Sequence, residues 1–441
     1  MSFSGKAILV LFIVLKFLGL DCAIPMSDLS AIPLEPEGSA AGVMVFDSLT
    51  GKLTKHELEQ IKSYARDRIP DPVNNFTPGR NGFVYGTLGN AFETLVRLYE
   101  LTGDREILDI LVNWTDHIVN ARNDLPGGEK RVIWNGEVAP VWPNEENLYK
   151  VPDSEQGEII GKIYNVALLI YQTPALYHEA VSVGDSLGYG ETYAGRAATY
   201  VARAEEALKG YLIPTFIHRP TNQIRYPEDP RFYDGRAAGN MNAQTDMNRV
   251  MMTNRQFMVA HAFMCAAEVY DHLGNAEFAD FCADVTQKSL DSFENSIVKR
   301  NAGSVWSWLF PKHRIYAAEW NYWPEKDGYT EDAGHGAFDM ISYFRILKNE
   351  RYRSKEDTAE AVCNMILYKL HIGNGNFASS INGSIGDSPA AQIRENYLLM
   401  AAHDPEIMNL ITADYVASSF KDASKFGTVL YLKGVLNGVE A

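Results

Sequence analysis

The sequence predicts an all-α fold: a closed (α/α) toroid of about six helical hairpins, with long loops at one mouth. Three observations predict it. Helical periodicity runs along the chain after its first two dozen residues, one hairpin motif occurs twice, and the connections are very uneven in length. Apolar positions at helical spacing fall near 54–69, 86–102, 104–122, 157–172, 190–210, 253–273, 275–298, 335–349, 355–371, 389–403, 405–419 and 425–437. Strand signals are short and scattered.

The first residues are of another kind. Met1 to Lys6 ends on a positive charge, and Ala7 to Leu20 is apolar apart from Lys16 and Gly19. Such a stretch reads as a secretory signal, too short to span a bilayer comfortably. Residues 1–23 are therefore set apart as a signal peptide, and 24–441 form one catalytic domain. The expected product is secreted, extracellular and free of the membrane once the signal is removed. Three N-x-S/T sequons, at Asn75, Asn113 and Asn382, are candidate glycan acceptors.

The hairpin motif supplies the turn chemistry. Leu95 to Asp104 reads LVRLYELTGD, and Ala266 to Asn275 reads AAEVYDHLGN. Gly103 and Gly274 provide the left-handed residue that stops a helix, and Asp104 and Asn275 cap the next one. A single hairpin cannot bury its apolar face, so hairpins stack or close on each other. An open solenoid and a closed toroid both satisfy that need. The uneven loops at 123–156, 214–252 and 299–333, rich in Trp, Tyr, Pro, Arg and Asn, favour a toroid that builds a site at one mouth.

Lys and Arg number 40 against 56 Asp and Glu, a formal charge of −16. That balance argues against nucleic acid as a partner. A local Arg cluster still suits an anionic ligand. Cys265 and Cys282 fall on a predicted hairpin, so a disulfide between them and a pair of buried free thiols are both open.

Two constellations carry chemistry. The first runs from Trp306 to Asp339. It contains Trp306, Trp308, His313, Arg314, Tyr316, Trp320, Tyr322, Trp323, Tyr329, Glu331, Asp332 and His335. Aromatic faces stack on sugar rings while their polar tips bond hydroxyls. Asp332 reads as a helix cap, and Glu331 stands one helical turn before His335, where a carboxylate can orient an imidazole. The second constellation runs from Asn240 through Asn242 and Asn248 to Asn254 and Arg255. Amides bond hydroxyls and Arg pairs with carboxylates. Asn254 and His261 are seven apart and share a helix face; a lone His on such a face is otherwise a satisfied core residue. There is no H-E-x-x-H, C-x-x-C, G-x-S-x-G or Walker A pattern, and no metal or other cofactor is expected.

The helical hairpins, the Trp-rich loops and the Asn, His, Arg and Tyr set at Asn254, His261, Arg314 and Tyr316 resemble the (α/α)-toroid polysaccharide lyases, which cut alginate- or glucuronan-type chains. The resemblance implies β-elimination on a uronic-acid-containing glycan. It implies Tyr316 as the acid and base, with His261 and His335 also catalytic. Asn254 and Arg314 would hold the carboxylate, and Arg255, Trp320, Tyr322, Glu331 and Asp332 would bind substrate around it. Two other readings stand beside it: an (α/α)-barrel glycoside hydrolase working through paired carboxylates among Glu319, Glu331, Asp332 and Asp246, and a non-catalytic secreted glycan-binding protein.

Overall fold

The computed structural model describes residues 43–66, 68–70, 87–143, 151–234, 243–303, 314–325, 330–386, 393–411 and 423–440. The signal at 1–23, Asn75, Asn240, Asn242, Trp306, Trp308, His313 and Tyr329 lie outside the described residues. The principal helices are α1 (Lys55–Arg66), α2 (Thr87–Thr102), α3 (Arg105–Asn120), α4 (Glu155–Tyr171), α5 (Tyr193–Ala207), α6 (Thr253–His272), α7 (Ala276–Ser296), α8 (Ala333–Leu347), α9 (Thr358–Met365), the single turn α10 (Glu395–Leu398) and α11 (Ala423–Asn437). None of the described helices is long and apolar enough to cross a membrane.

The helices close a ring. α2 packs on α4, α4 on α6, α6 on α8, α8 on α10, α10 on α11, and α11 returns to α2. These are the inner helices. Outside them, α3 packs against α2 and α4, α5 against α4, α7 against α6, and α1 against α11 and α3. The expected (α/α) toroid is the fold observed. Inner and outer helices alternate along the chain from α1 to α10, so the inner helices α2, α4, α6, α8 and α10 point the same way. The expected helix at 389–403 is shorter than its pattern: α10 passes into a 3-10 turn, Leu399–Ala402.

Hairpin turns follow the predicted chemistry. Gly103 and Gly274 sit at φ of 63° and 75°, where a β-carbon would be strained. Asp104 accepts from the backbone N–H groups of Glu106 and Ile107, and Asn275 from that of Phe278. Between inner helices, α4 and α6 meet closely at Gly161, where a β-carbon would stand 2.7 Å from His261 Nδ1. That contact fixes how deep His261 lies in the ring.

The three long connections, α3 to α4, α5 to α6 and α7 to α8, each lead from an outer helix to the start of an inner one. They therefore meet at one mouth, where the inner helices begin. The Gly103 and Gly274 turns lie at the other end. Three two-stranded antiparallel hairpins decorate the scaffold: β1 (Ile217–His218) with β2 (Gln223–Ile224), β3 (Val298–Asn301) with β4 (Tyr316–Glu319), and β5 (His371–Gly373) with β6 (Asn376–Phe377). The β4 strand packs on the outer helix α9.

Cys265, Cys282 and Cys363 are free and buried, which settles the thiols against a Cys265–Cys282 disulfide. Asn382 stands in a turn, its side-chain oxygen accepting from the Ser384 N–H, and Asn113 is half-buried on α3.

Candidate active site at the long-loop mouth

The starts of α4, α6 and α8 bring an acid and base set together. Asp332 caps α8, accepting from the N–H groups of Gly334 and His335 at 2.7 and 2.9 Å. Its other carboxylate oxygen lies 2.5 Å from His335 Nδ1. A carboxylate at Nδ1 holds the proton on that nitrogen and leaves Nε2 as the basic one. Burial works to raise Asp332, but the His335 imidazole and the two backbone donors hold it down at about 2, so it stays ionised. His335 is half-exposed, and its ring lies 5.0 Å from that of Tyr322, tilted by 59°.

Tyr322 links this wall to the next. Its carbonyl accepts from the Thr253 N–H at the start of α6. The Arg255 guanidinium stands within hydrogen-bonding reach of its phenol; burial nevertheless raises the phenol above its ordinary value. Tyr322 is therefore a neutral O–H beside a fixed cation. Arg255 in turn forms an ion pair with Asp153 ahead of α4. Asp153 and burial together lift the neighbouring Glu155 to about 7, with burial the larger cause. Asn254 is buried and its side-chain oxygen accepts from the Arg255 N–H.

Beneath His335 lies a second pair of acids. Glu331 is fully buried; its Oε1 accepts from the Asp332 N–H at 3.0 Å, and Oε2 has no partner. Asp339 accepts from Trp320 Nε1 at 2.8 Å, and its Oδ1 has no partner. Burial, then the Asp339 charge, pushes Glu331 up to about 10; burial pushes Asp339 up to about 8. Both folded values exceed the ordinary ones, so the folded chain holds protons that the unfolded chain releases. Their stabilising effect is complete below about pH 4, and it declines as pH rises toward 8 for Asp339 and 10 for Glu331. Glu331→Gln should thus gain thermal stability over the parent as pH goes from 5 to 9. Melting curves at both pH values check this, and a gap that does not widen contradicts it.

The structure corrects several expected roles. Tyr316 and His261 do not share a site. Tyr316 opens β4 on the outer layer, is 45% exposed, and its carbonyl accepts from Asn364 of α9. Arg314 leads into the same outer hairpin and is exposed. Ala317 and Ala318 of β4 are buried, whereas Tyr316 at its start is exposed. His261 is buried on the inner helix α6, 3.1 Å from Glu158. Burial first, then Arg345, lowers it below its ordinary value, so it is a neutral core imidazole. Trp320 is 1% exposed and spends its indole N–H on Asp339, so no face of it is open to a sugar. Glu331 does not orient His335; Asp332 does. Of the expected residues, Arg255, Tyr322, Asp332 and His335 come together at the mouth, with Asn254 and Glu331 beneath them.

Asp153, Glu155 and Asp339 were missed by sequence reasoning. The signal for the first two was present: an Asp-Ser-Glu run ahead of an apolar helix, where acidic residues belong. Starting that helix at 157 hid it in the loop. Glu331, Asp332 and His335 also offer ligating atoms within 4.8 Å of one another, a set with room for a divalent cation. The similar set of Glu93, Glu158 and His261 already holds Lys162 and Arg345, whose charges exclude a cation.

Solved structures with similarity to this chain include a possible GH105 family member from Salmonella enterica (TM-score 0.40, 10% identity, covering 86% of this chain and 94% of that one). A possible GH105 member from Klebsiella pneumoniae gives TM-score 0.39 at 10% identity, over 87% and 93% of the two chains. An α-1,6-mannanase, GH76A of Salegentibacter, in complex with α-1,6-mannotriose gives 0.34 at 10% identity, over 86% and 97%. No family model and no curated protein matches the sequence.

Proposed function

We propose that the chain is a carbohydrate-active enzyme working at the long-loop mouth, and within that class a polysaccharide lyase on a uronic-acid-containing glycan. One juxtaposition carries this reading: Arg255 beside Tyr322, Tyr322 beside His335, and His335 held by Asp332. A uronate lyase removes the proton at C5, next to a carboxylate, and breaks the bond from C4 to O4. Arg255 would meet the carboxylate and its developing enolate charge. His335 Nε2 would take the C5 proton, and the Tyr322 O–H would give one to the departing O4. A carbon–carbon double bond forms between C4 and C5, and the electron pair leaves with O4. The phenolate left behind sits beside Arg255, and its raised affinity for protons returns it quickly to the neutral state.

A second reading is hydrolysis. It is favoured by Glu155, whose lift to about 7 beside the ion-paired Asp153 is the environment of a general acid. The two readings differ in product. Incubation with alginate, glucuronan and neutral glycans, following ultraviolet absorbance and reducing ends together, separates them. Elimination yields an absorbing unsaturated end. Hydrolysis yields reducing ends alone, and that result would overturn the lyase.

A further inference from the structure

At the far end of the ring, where the inner helices finish, lies a cavity of about 600 Å³, a volume that suits a small ligand. It is distinct from the long-loop mouth. Arg97, Asn165, Gln172, Glu268, Lys348 and Asn349 are among the residues that line it.

Arg97 is the anomaly. It is 5% exposed, and its guanidinium Nε and Nη1 have no hydrogen-bond partner. Its one hydrogen bond is a long one, from Nη2 to Thr94 Oγ1 at 3.4 Å. The nearest carboxylate, Glu93, is one helical turn away but is already engaged by Arg345 at 2.7 Å and Lys162 at 3.3 Å. Glu158 is likewise engaged by Lys162, Arg345 and His261. Glu93 and Glu158 thus spend their charge on Lys162 and Arg345, and Arg97 is left facing the Tyr431 ring, 5.9 Å from its centroid. The other cation on the lining, Lys348, is matched by Glu100 at 2.9 Å. Burying a guanidinium without a counter-charge is costly, and an anion entering the cavity removes that cost.

We propose that this cavity binds a small hydroxylated monocarboxylate, a sugar acid, with its carboxylate on Arg97. A carboxylate would accept from the partnerless Nε and Nη1 of Arg97. The side-chain amides of Asn165 and Gln172 supply donors and acceptors for hydroxyl groups.

The test uses calorimetric titration of the full chain with glucuronate, glucose and acetate at low salt. An Arg255→Met protein is titrated in parallel, so that binding at the mouth is not mistaken for binding here. Both proteins should bind glucuronate alike, with glucose inert and acetate weaker. Arg97→Met should weaken glucuronate about tenfold or more, and Arg97→Lys less. Without ligand, Arg97→Met should melt above the parent, while glucuronate should raise the melting point of the parent alone. If Arg97→Met does not fold, Arg97→Lys and Gln172→Ala carry the comparison. The proposal is overturned by the absence of glucuronate binding, by affinity unchanged in Arg97→Met, or by affinity lost in the Arg255→Met protein. Acetate binding as tightly as glucuronate overturns the sugar-acid assignment.

Discussion

Tyr322→Phe should lower kcat for unsaturated product by roughly 10²–10⁴-fold, the usual worth of a positioned proton donor, with little change in KM. The substitution removes one oxygen. It leaves the Tyr322 carbonyl on the Thr253 N–H and the Arg255–Asp153 ion pair intact, so the mouth keeps its shape. His335→Asn should cost a similar factor, because it removes the basic Nε2. The two losses should not add in full, since both groups serve one elimination. Glu155→Gln provides the contrast: under elimination it should leave most of the activity, whereas under hydrolysis it should abolish the release of reducing ends. Steady-state rates on one uronate polymer, read both at the ultraviolet edge and as reducing ends, decide the matter. Near-parental rates in both Tyr322→Phe and His335→Asn would remove these residues from the reaction.

Much of the scaffold was legible because it rests on local rules. Gly103 with Asp104 and Gly274 with Asn275 announce their turns by residue type alone, and the expected helices there match within a residue or two. The ring itself follows from the need to bury one face of each hairpin. The site was legible only where a residue's neighbour in sequence is also its partner. Asp332 and His335 meet across the first turn of α8, and that contact was within reach of the sequence, although Glu331 was the carboxylate expected to make it. Arg255 and Tyr322 come from different hairpins. Their meeting depends on where α6 begins relative to the strand-to-helix loop ahead of α8, which no local pattern encodes. Tyr316 failed for the same reason in reverse: its place in a promising stretch does not reveal that β4 backs onto α9, outside the ring. His261 proved to be the bland alternative, a core imidazole, and its partners Glu158 and Arg345 are separated from it and from each other by long stretches of chain.

That buried network is where the largest loss of stability is expected. Arg345 reaches Glu93 at 2.7 Å and Glu158 at 3.1 Å from α8, so it ties α8 to both α2 and α4 across the ring. Arg345→Met should cost about 3–5 kcal/mol in denaturant unfolding, because Glu93 and Glu158 would lose the one guanidinium that contacts both and keep Lys162 as their ion-pair partner. The sign of its pH dependence is fixed as well. Burial opposes ionisation of Glu93, but Arg345 and then Lys162 hold it at about 2, and Glu158 is likewise held well below the ordinary range. Carboxylates lowered on folding give stability that is complete above about pH 4.5 and is lost as pH falls toward 2. Without Arg345 both carboxylates bind protons more readily. The stability gap between parent and variant should therefore narrow as pH falls from 6 to 3. Glu158→Gln in the Arg345→Met background should recover part of the loss, since it removes a charge left short of partners. Urea titrations of the three proteins at pH 6 and pH 3 supply the comparison. A gap independent of pH, with no recovery in the double variant, would mean that the loss comes from packing of the Arg345 stem rather than from its charge.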